Sequence, residues 1–275
     1  MDWSFTVHTG LLIVLLAFIA EYFDSTLGMG YGTSLTPILL IMGFEPMQIV
    51  PCILLSELIT GLGASVMHDQ LGNVNLFPRE IKNIKINRLS FLRDIRKYLP
   101  DHLKIGLLIG ICSIIGAVAA VYLAVNLPKF LIKLYIGILI TLMGILILLT
   151  SGSKLRFSWS KIIILSIIAS FNKGISGGGY GPVVTSGQLL SGVNSKNAIG
   201  ITSFAESLTC LVGLMVYLLL KNSVDWKLAP FLILGGILSI PVSGITVKKM
   251  KMIGLKNLIG VVTLFLGLFT LYKIL

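Results

Sequence analysis

Apolar runs recur along the whole chain, near residues 5–24, 32–43, 47–68, 103–125, 129–150, 161–172, 181–192, 197–220, 228–247 and 254–274. A helix needs about 20 largely apolar residues to cross a bilayer. The longer runs therefore predict membrane-spanning helices, whereas 32–43, 161–172 and 181–192 are too short for a full crossing. These short runs border two similar stretches, FDSTLGMGYG from Phe23 and NKGISGGGYG from Asn172.

The similarity extends beyond the glycines. At an offset of 149, Gly28, Gly30, Tyr31 and Gly32 fall on Gly177, Gly179, Tyr180 and Gly181; Glu57 falls on Glu206, Thr60 on Thr209 and Asp24 on Lys173. The match resumes with Gly137 on Gly260 and Gly144 on Gly267 at an offset of 123. The difference is an extra basic stretch near 77–101 in the first half. Each half holds five segments, an odd number, so the two are expected to insert with opposite orientation. Inverted repeats of this kind are a transporter signature, with the substrate site at mid-membrane between the halves. The predicted fold is an all-α polytopic membrane protein, a single domain over 1–275 with repeat halves 1–150 and 155–275. Its glycine-broken short helix pairs are expected to meet near the membrane midplane.

Composition sharpens this picture. The chain is 55% hydrophobic and 12% charged with a mean hydropathy of +0.96, which excludes a soluble catalytic domain. The N-terminus carries an acid where a signal peptide carries positive charge, so the first run is expected to be retained. The net charge of +11 bears on topology rather than on nucleic acid. With the 69–102 loop in the cytoplasm, sixteen Lys and Arg fall on that side, against Lys129, Lys133, Lys221, Lys227 and Lys273 outside. Both termini are then outside, in a plasma or inner membrane. The 77–101 segment, with KNIKINRLSFLRDIRKYLP, is expected to contact anionic lipid.

In lipid, a broken helix is tolerated only where protein or a water-filled cavity surrounds it. Glycine allows positive φ and close backbone approach, and Pro182 suits a first helical turn. The motifs are therefore expected to end one helix and begin the next near Gly32 and Pro182. Two helix N-termini facing one another would form an anion site. Lys173 would add a full positive charge, with Thr33, Ser34, Thr185 and Gln188 as further contacts. Glu57 and Glu206, at equivalent points of their runs, are candidates for proton coupling; the alternative is a structural bridge from Lys173 to Asp24 or to a glutamate. Glu21, His8 and Gln188 are secondary candidates. Cys52, Cys112 and Cys210 show no CxxC, and His68 and His102 no metal-ligand spacing, so no metal or cofactor is expected. Gly106, Gly110, Gly137, Gly144, Gly260 and Gly267 read as packing points.

The glycine motifs have two lookalikes. The Gly28-x-Gly30-x-Gly32 spacing lacks the strand and βαβ unit of a dinucleotide fingerprint. The GYG tripeptides are similar to a potassium filter, and a homodimer would supply four copies. However, Thr-Val does not precede them, and Lys173 would repel cations. A dimeric channel is the alternative to a carrier.

At both motifs, through FDSTLGMGYG with TPILLIMGFEP and NKGISGGGYGPVVTSGQLLSGV with SKNAIGITSFAES, the chain resembles the sulfite exporter TauE/SafE family of membrane transporters. The resemblance covers nearly the whole repeat layout apart from 77–101. It implies export of small sulfur-containing anions such as sulfite or organosulfonates. The family motifs map onto Asp24, Gly28, Gly30, Tyr31 and Gly32, and onto Lys173, Gly177, Gly179, Tyr180 and Gly181. The expected protein is a secondary, alternating-access anion transporter and not an enzyme.

Overall fold

The computed structural model describes residues 7–77, 100–149, 159–190, 193–221, 224–249 and 253–274. The first six residues and nearly all of the basic 77–101 stretch, with its expected lipid contact, lie outside the described residues. Among the described residues the regular structure is all helix: α1 (Val7–Leu27), α2 (Tyr31–Ile41), α3 (Pro46–Gln70), α4 (Asp101–Asn126), α5 (Lys129–Leu149), α6 (Trp159–Ser176), α7 (Tyr180–Leu190), α8 (Ser195–Lys221), α9 (Ala229–Lys249) and α10 (Ile253–Ile274).

Five of them, α1, α3, α4, α8 and α9, are long and apolar enough to cross a membrane. Their outer faces are apolar in helical register. Leu11, Leu15 and Ile19 line one side of α1, and Ile111, Ile115, Val118 and Tyr122 one side of α4, all exposed. Such stripes suit lipid tails rather than water. By contrast, α2 and α7 have eleven residues each, about 16 Å of helix and half a bilayer. They begin one and two residues earlier than Gly32 and Pro182, because the tyrosine of each motif already turns into the helix.

The centre of the bundle is α3 against α8. Gly213 faces Leu54, Gly61 faces Ser203 and Ser207, and Gly200 faces His68, so the two helices run in opposite directions. Around this pair, α1 packs on α9 and α4 on α6, α9 packs on α3 and α4 on α8, and α5 packs on α10. Exchanging the first five helices for the last five maps each of these pairings onto another or onto itself. Small residues permit the close approaches: Gly235 meets the Val14 carbonyl, Gly116 the Ile167 carbonyl, Gly144 meets Leu264 and Gly267 meets Thr141. Gly106, Gly110 and Gly137 are likewise filled, by Phe204, Leu208 and Leu271. The surroundings of Gly260 lie outside the described side chains.

Polar ties mark the two ends of the bundle. At one end Glu45 caps α3 in a reciprocal capping box with Gln48, followed by Pro46 in the first turn. There Gln48 also donates to Asp225 and Lys133 reaches Glu45. At the other end Asn197 pairs with His102, and Lys196 donates to the Lys248 carbonyl. There too His68, Asn73 and the Gly244 carbonyl are linked, fixing the turn that follows α3.

Candidate functional site at the helix breaks

The chain leaves α1 and enters α2 through glycines with positive φ, 68° at Gly28 and 137° at Gly30. It leaves α6 and enters α7 in the same way, with 73° at Gly177 and 77° at Gly179. A residue with a Cβ rarely adopts these angles. The breaks then meet. A Cβ on Gly32 would strike the Gly177 carbonyl, and one on Gly181 would strike the Gly28 carbonyl and Met29. The two tips are therefore in backbone contact, and an anion between them would require them to part.

Matched hydroxyls hold this contact. Thr36 Oγ1 donates to the Ser176 carbonyl, and Thr185 Oγ1 to the Gly28 carbonyl, each at 2.7 Å. Thr185 Oγ1 in turn accepts from the Thr202 hydroxyl at 2.9 Å, whose oxygen accepts from Gln188 Nε2 at 2.9 Å. The Gln188 Oε1 is buried with no hydrogen-bond partner among the described residues. The first-turn amides of α2 have no intrahelical acceptor; the Tyr31 amide finds Asp24 Oδ1 at 3.3 Å. Thr33 turns its hydroxyl back to the Gly30 carbonyl at 3.2 Å, and the Ser34 amide bonds the same oxygen at 2.9 Å. The tyrosine rings point into the core, Tyr31 to Ser56 at 2.7 Å and Tyr180 to Thr209 at 3.3 Å.

Lys173, in the last turn of α6, is 1% exposed. Its ammonium lies between Glu57 of α3 and Glu206 of α8, in contact with Glu57 Oε2 and 2.7 Å from Glu206 Oε1. Cys210 Sγ lies 3.8 Å from Glu57 Oε2, while Glu57 Oε1 has no hydrogen-bond partner among the described residues. One further carboxyl is buried nearby: Glu21 accepts from Ser25 and, at 3.0 Å, from Thr60, one turn along α3 from Glu57. Asp24 is buried as well and accepts from the amide of Tyr31; the ion pairs of Lys173 go to Glu57 and Glu206. Two carboxyls thus flank the ammonium, and two more are buried without an ion pair to it. Breaking a buried pair by removing one partner typically costs about 3–5 kcal/mol, so the triad also fastens α6 to α3 and α8.

The structure therefore brings together Lys173, Glu57 and Glu206 as one cluster, and the glycines, Thr185 and Gln188 as another. Asp24 belongs with the glycine breaks. His8 lies near the start of α1, away from both clusters. Thr36 and Thr202 were not singled out from sequence. Thr36 had a signal, since it falls on Thr185 at the offset of 149; Thr202 had none. The GYG tripeptides open helices, and the Gly30 carbonyl is taken by its own first turn. A filter needs carbonyls free to line a pore, so the channel alternative finds no support here.

The family model of the sulfite exporter TauE/SafE matches residues 87–270. That span contains the second glycine motif, Lys173 and Glu206, and begins after the first motif and Glu57. A curated relative from Bacillus subtilis (strain 168), "Probable membrane transporter protein YtnM", is 26% identical over 254 residues, covering 86% of this chain and 75% of the relative. No solved structure matches the chain. With well over half its length matched by the family model and with five helices able to cross a membrane, the chain belongs to the sulfite exporter TauE/SafE family of multi-pass membrane transporters.

Proposed function

We propose that the protein is a secondary transporter of small anions, sulfite or organosulfonates, in which anion and proton move together. The observation that carries this reading is the buried Lys173 held by both Glu57 and Glu206 beside two glycine breaks. One ammonium between two carboxylates leaves a net negative triad that repels an anion. Protons on both glutamates release the ammonium, which then offers the only positive charge in the cluster to an entering anion. The first-turn amides of α2 and α7 add the helix-end field once the tips part. Proton uptake is thus the condition for anion binding. Export then follows the outward gradient of an accumulated anion.

Parting and re-forming the contact between the tips would expose the site to one membrane face and then the other. The pairing of helices under exchange of halves is what an inverted repeat needs for two such states of similar energy. Asp24, Gly28, Gly30, Tyr31 and Gly32, with Gly177, Gly179, Tyr180 and Gly181, would shape the site. Thr33, Ser34, Thr185 and Gln188 would supply polar contacts.

Purified protein in liposomes should take up labelled sulfite or methanesulfonate together with protons, reported by an internal pH dye. Lys173→Ala should abolish both fluxes. Glu57→Gln with Glu206→Gln should keep anion exchange but flatten its pH dependence. Unchanged flux in Lys173→Ala would sink the reading.

A further inference from the structure

Three lysines converge on one cleft of about 340 Å³ at the Glu45 end of the bundle. Lys129 and Lys133 come from the first turns of α5, and Lys273 from the last turn of α10. Glu45 Oε2 lies 3.3 Å from Lys133 Nζ and 3.9 Å from Lys129 Nζ. Lys273 Nζ donates to the Ile41 carbonyl at 2.7 Å. Three ammonium groups thus line one cleft in which a single carboxylate reaches two of them, an excess of positive charge that favours an anion. The cleft also sits at the N-terminus of α5, the end of a helix that favours negative charge. Leu40 and Phe130 complete an apolar part of the wall. The volume falls within the range of small-ligand sites.

The sequence adds a second reason to read this as a built site. Lys129, Lys133 and Lys273 are three of the five lysines that sequence topology leaves on the outer side, where positive charge is sparse. Sparse charge concentrated in one cleft calls for a ligand. This cleft is open, unlike the enclosed Lys173 cluster, so it does not depend on what Lys173 binds.

We propose that the Lys129–Lys133–Lys273 cleft binds a tetrahedral oxyanion head, phosphate or sulfonate, carried on an apolar body. Glu45 occupies Lys129 and Lys133 when the ligand is absent. A lipid phosphate and a free organosulfonate present the same chemistry, and the experiment separates them.

Binding is measured on the detergent-purified full chain at fixed ionic strength, with labelled methanesulfonate as one probe and phosphatidylglycerol retention by native mass spectrometry as the other. Lys129→Gln changes a side chain that is 66% exposed, so it folds, and it should weaken the bound probe roughly threefold. In a Lys173→Ala background, which takes out the central site, the triple Lys→Gln variant should lose binding. Glu45→Gln, which keeps a capping side chain, should tighten binding roughly threefold by freeing two lysines. Retention of phosphatidylglycerol that blocks methanesulfonate identifies a lipid as the source; methanesulfonate binding that is equal in phosphatidylglycerol and phosphatidylcholine nanodiscs identifies a free anion. Equal affinities in wild type, Lys129→Gln and the triple variant, or weaker binding in Glu45→Gln, overturn the proposal. Absence of binding of both probes to wild type overturns it too.

Discussion

Gly32 shows how much a single missing methyl group can decide. Its ordinary helical backbone would accept alanine, yet the Cβ would coincide with the Gly177 carbonyl. Gly181 meets the Gly28 carbonyl in the mirrored contact. Backbone cannot retreat as a flexible side chain does, so Gly32→Ala and Gly181→Ala should each destabilise by about 3 kcal/mol or more. Gly72 is the control: its φ of 76° is strained for alanine, but nothing lies within 4 Å of an added Cβ. Gly72→Ala should cost only about 1 kcal/mol. Thermal melts in detergent separate the two classes, and a Gly32→Ala protein melting with Gly72→Ala would contradict the contact. The matched glycines were legible because the repeat aligns them. Their reason was not, since a backbone contact between residues 145 positions apart leaves no periodicity to read. The triad was half legible: the sequence placed Glu57 and Glu206 at equivalent points and offered a bridge from Lys173 to one glutamate, but not one ammonium shared by both. That placement depends on α6 reaching Ser176 as one helix, past the run expected to end at 172.

At the scale of elements, the breaks persist because each short helix grips the other half of the chain. Thr36 on α2 holds the end of α6, and Thr185 on α7 holds the end of α1. Each bond satisfies a carbonyl that a terminating helix leaves without an amide. Thr36→Val keeps shape and removes one hydrogen bond, for an expected loss of about 1 kcal/mol; Thr185→Val also removes the bond with Thr202, for about 2 kcal/mol. The tips touch, so the double variant should depart from the sum of the singles by about 0.5 kcal/mol or more. A double-mutant cycle on detergent-solubilised protein reads this directly; strict additivity would mean that the two grips are independent. Helix existence was legible throughout, because lipid requires intra-segment hydrogen bonding and leaves apolar runs little else to form. Helix ends were less so. The α2 and α7 starts moved to Tyr31 and Tyr180, where Asp24 and the motif glycines, not apolar pattern, set the first turn.

At the scale of the molecule, charge and packing describe the same two ends. One end carries Glu45, Asp225, Lys227 and the lysine cleft; the other carries His68, His102, Lys104, Lys196 and Lys249. The antiparallel course of α3 and α8 between them follows from glycine contacts that no charge rule uses. The Lys and Arg bias then predicts an orientation: the end next to the basic stretch is expected to face the cytoplasm, since positively charged loops resist translocation. Lys227 and Lys249 are both exposed and sit at opposite ends, outside the triad, the breaks and the lysine cleft. In intact cells a membrane-impermeant maleimide should label Lys227→Cys at once and Lys249→Cys only after permeabilisation. The buried Cys52 and Cys210 and the half-buried Cys112 give the background to subtract. Labelling of Lys249→Cys alone in intact cells would reverse the orientation and place the lysine cleft in the cytoplasm. Labelling of both would require a second inserted form, which the single-sided excess of positive charge disfavours.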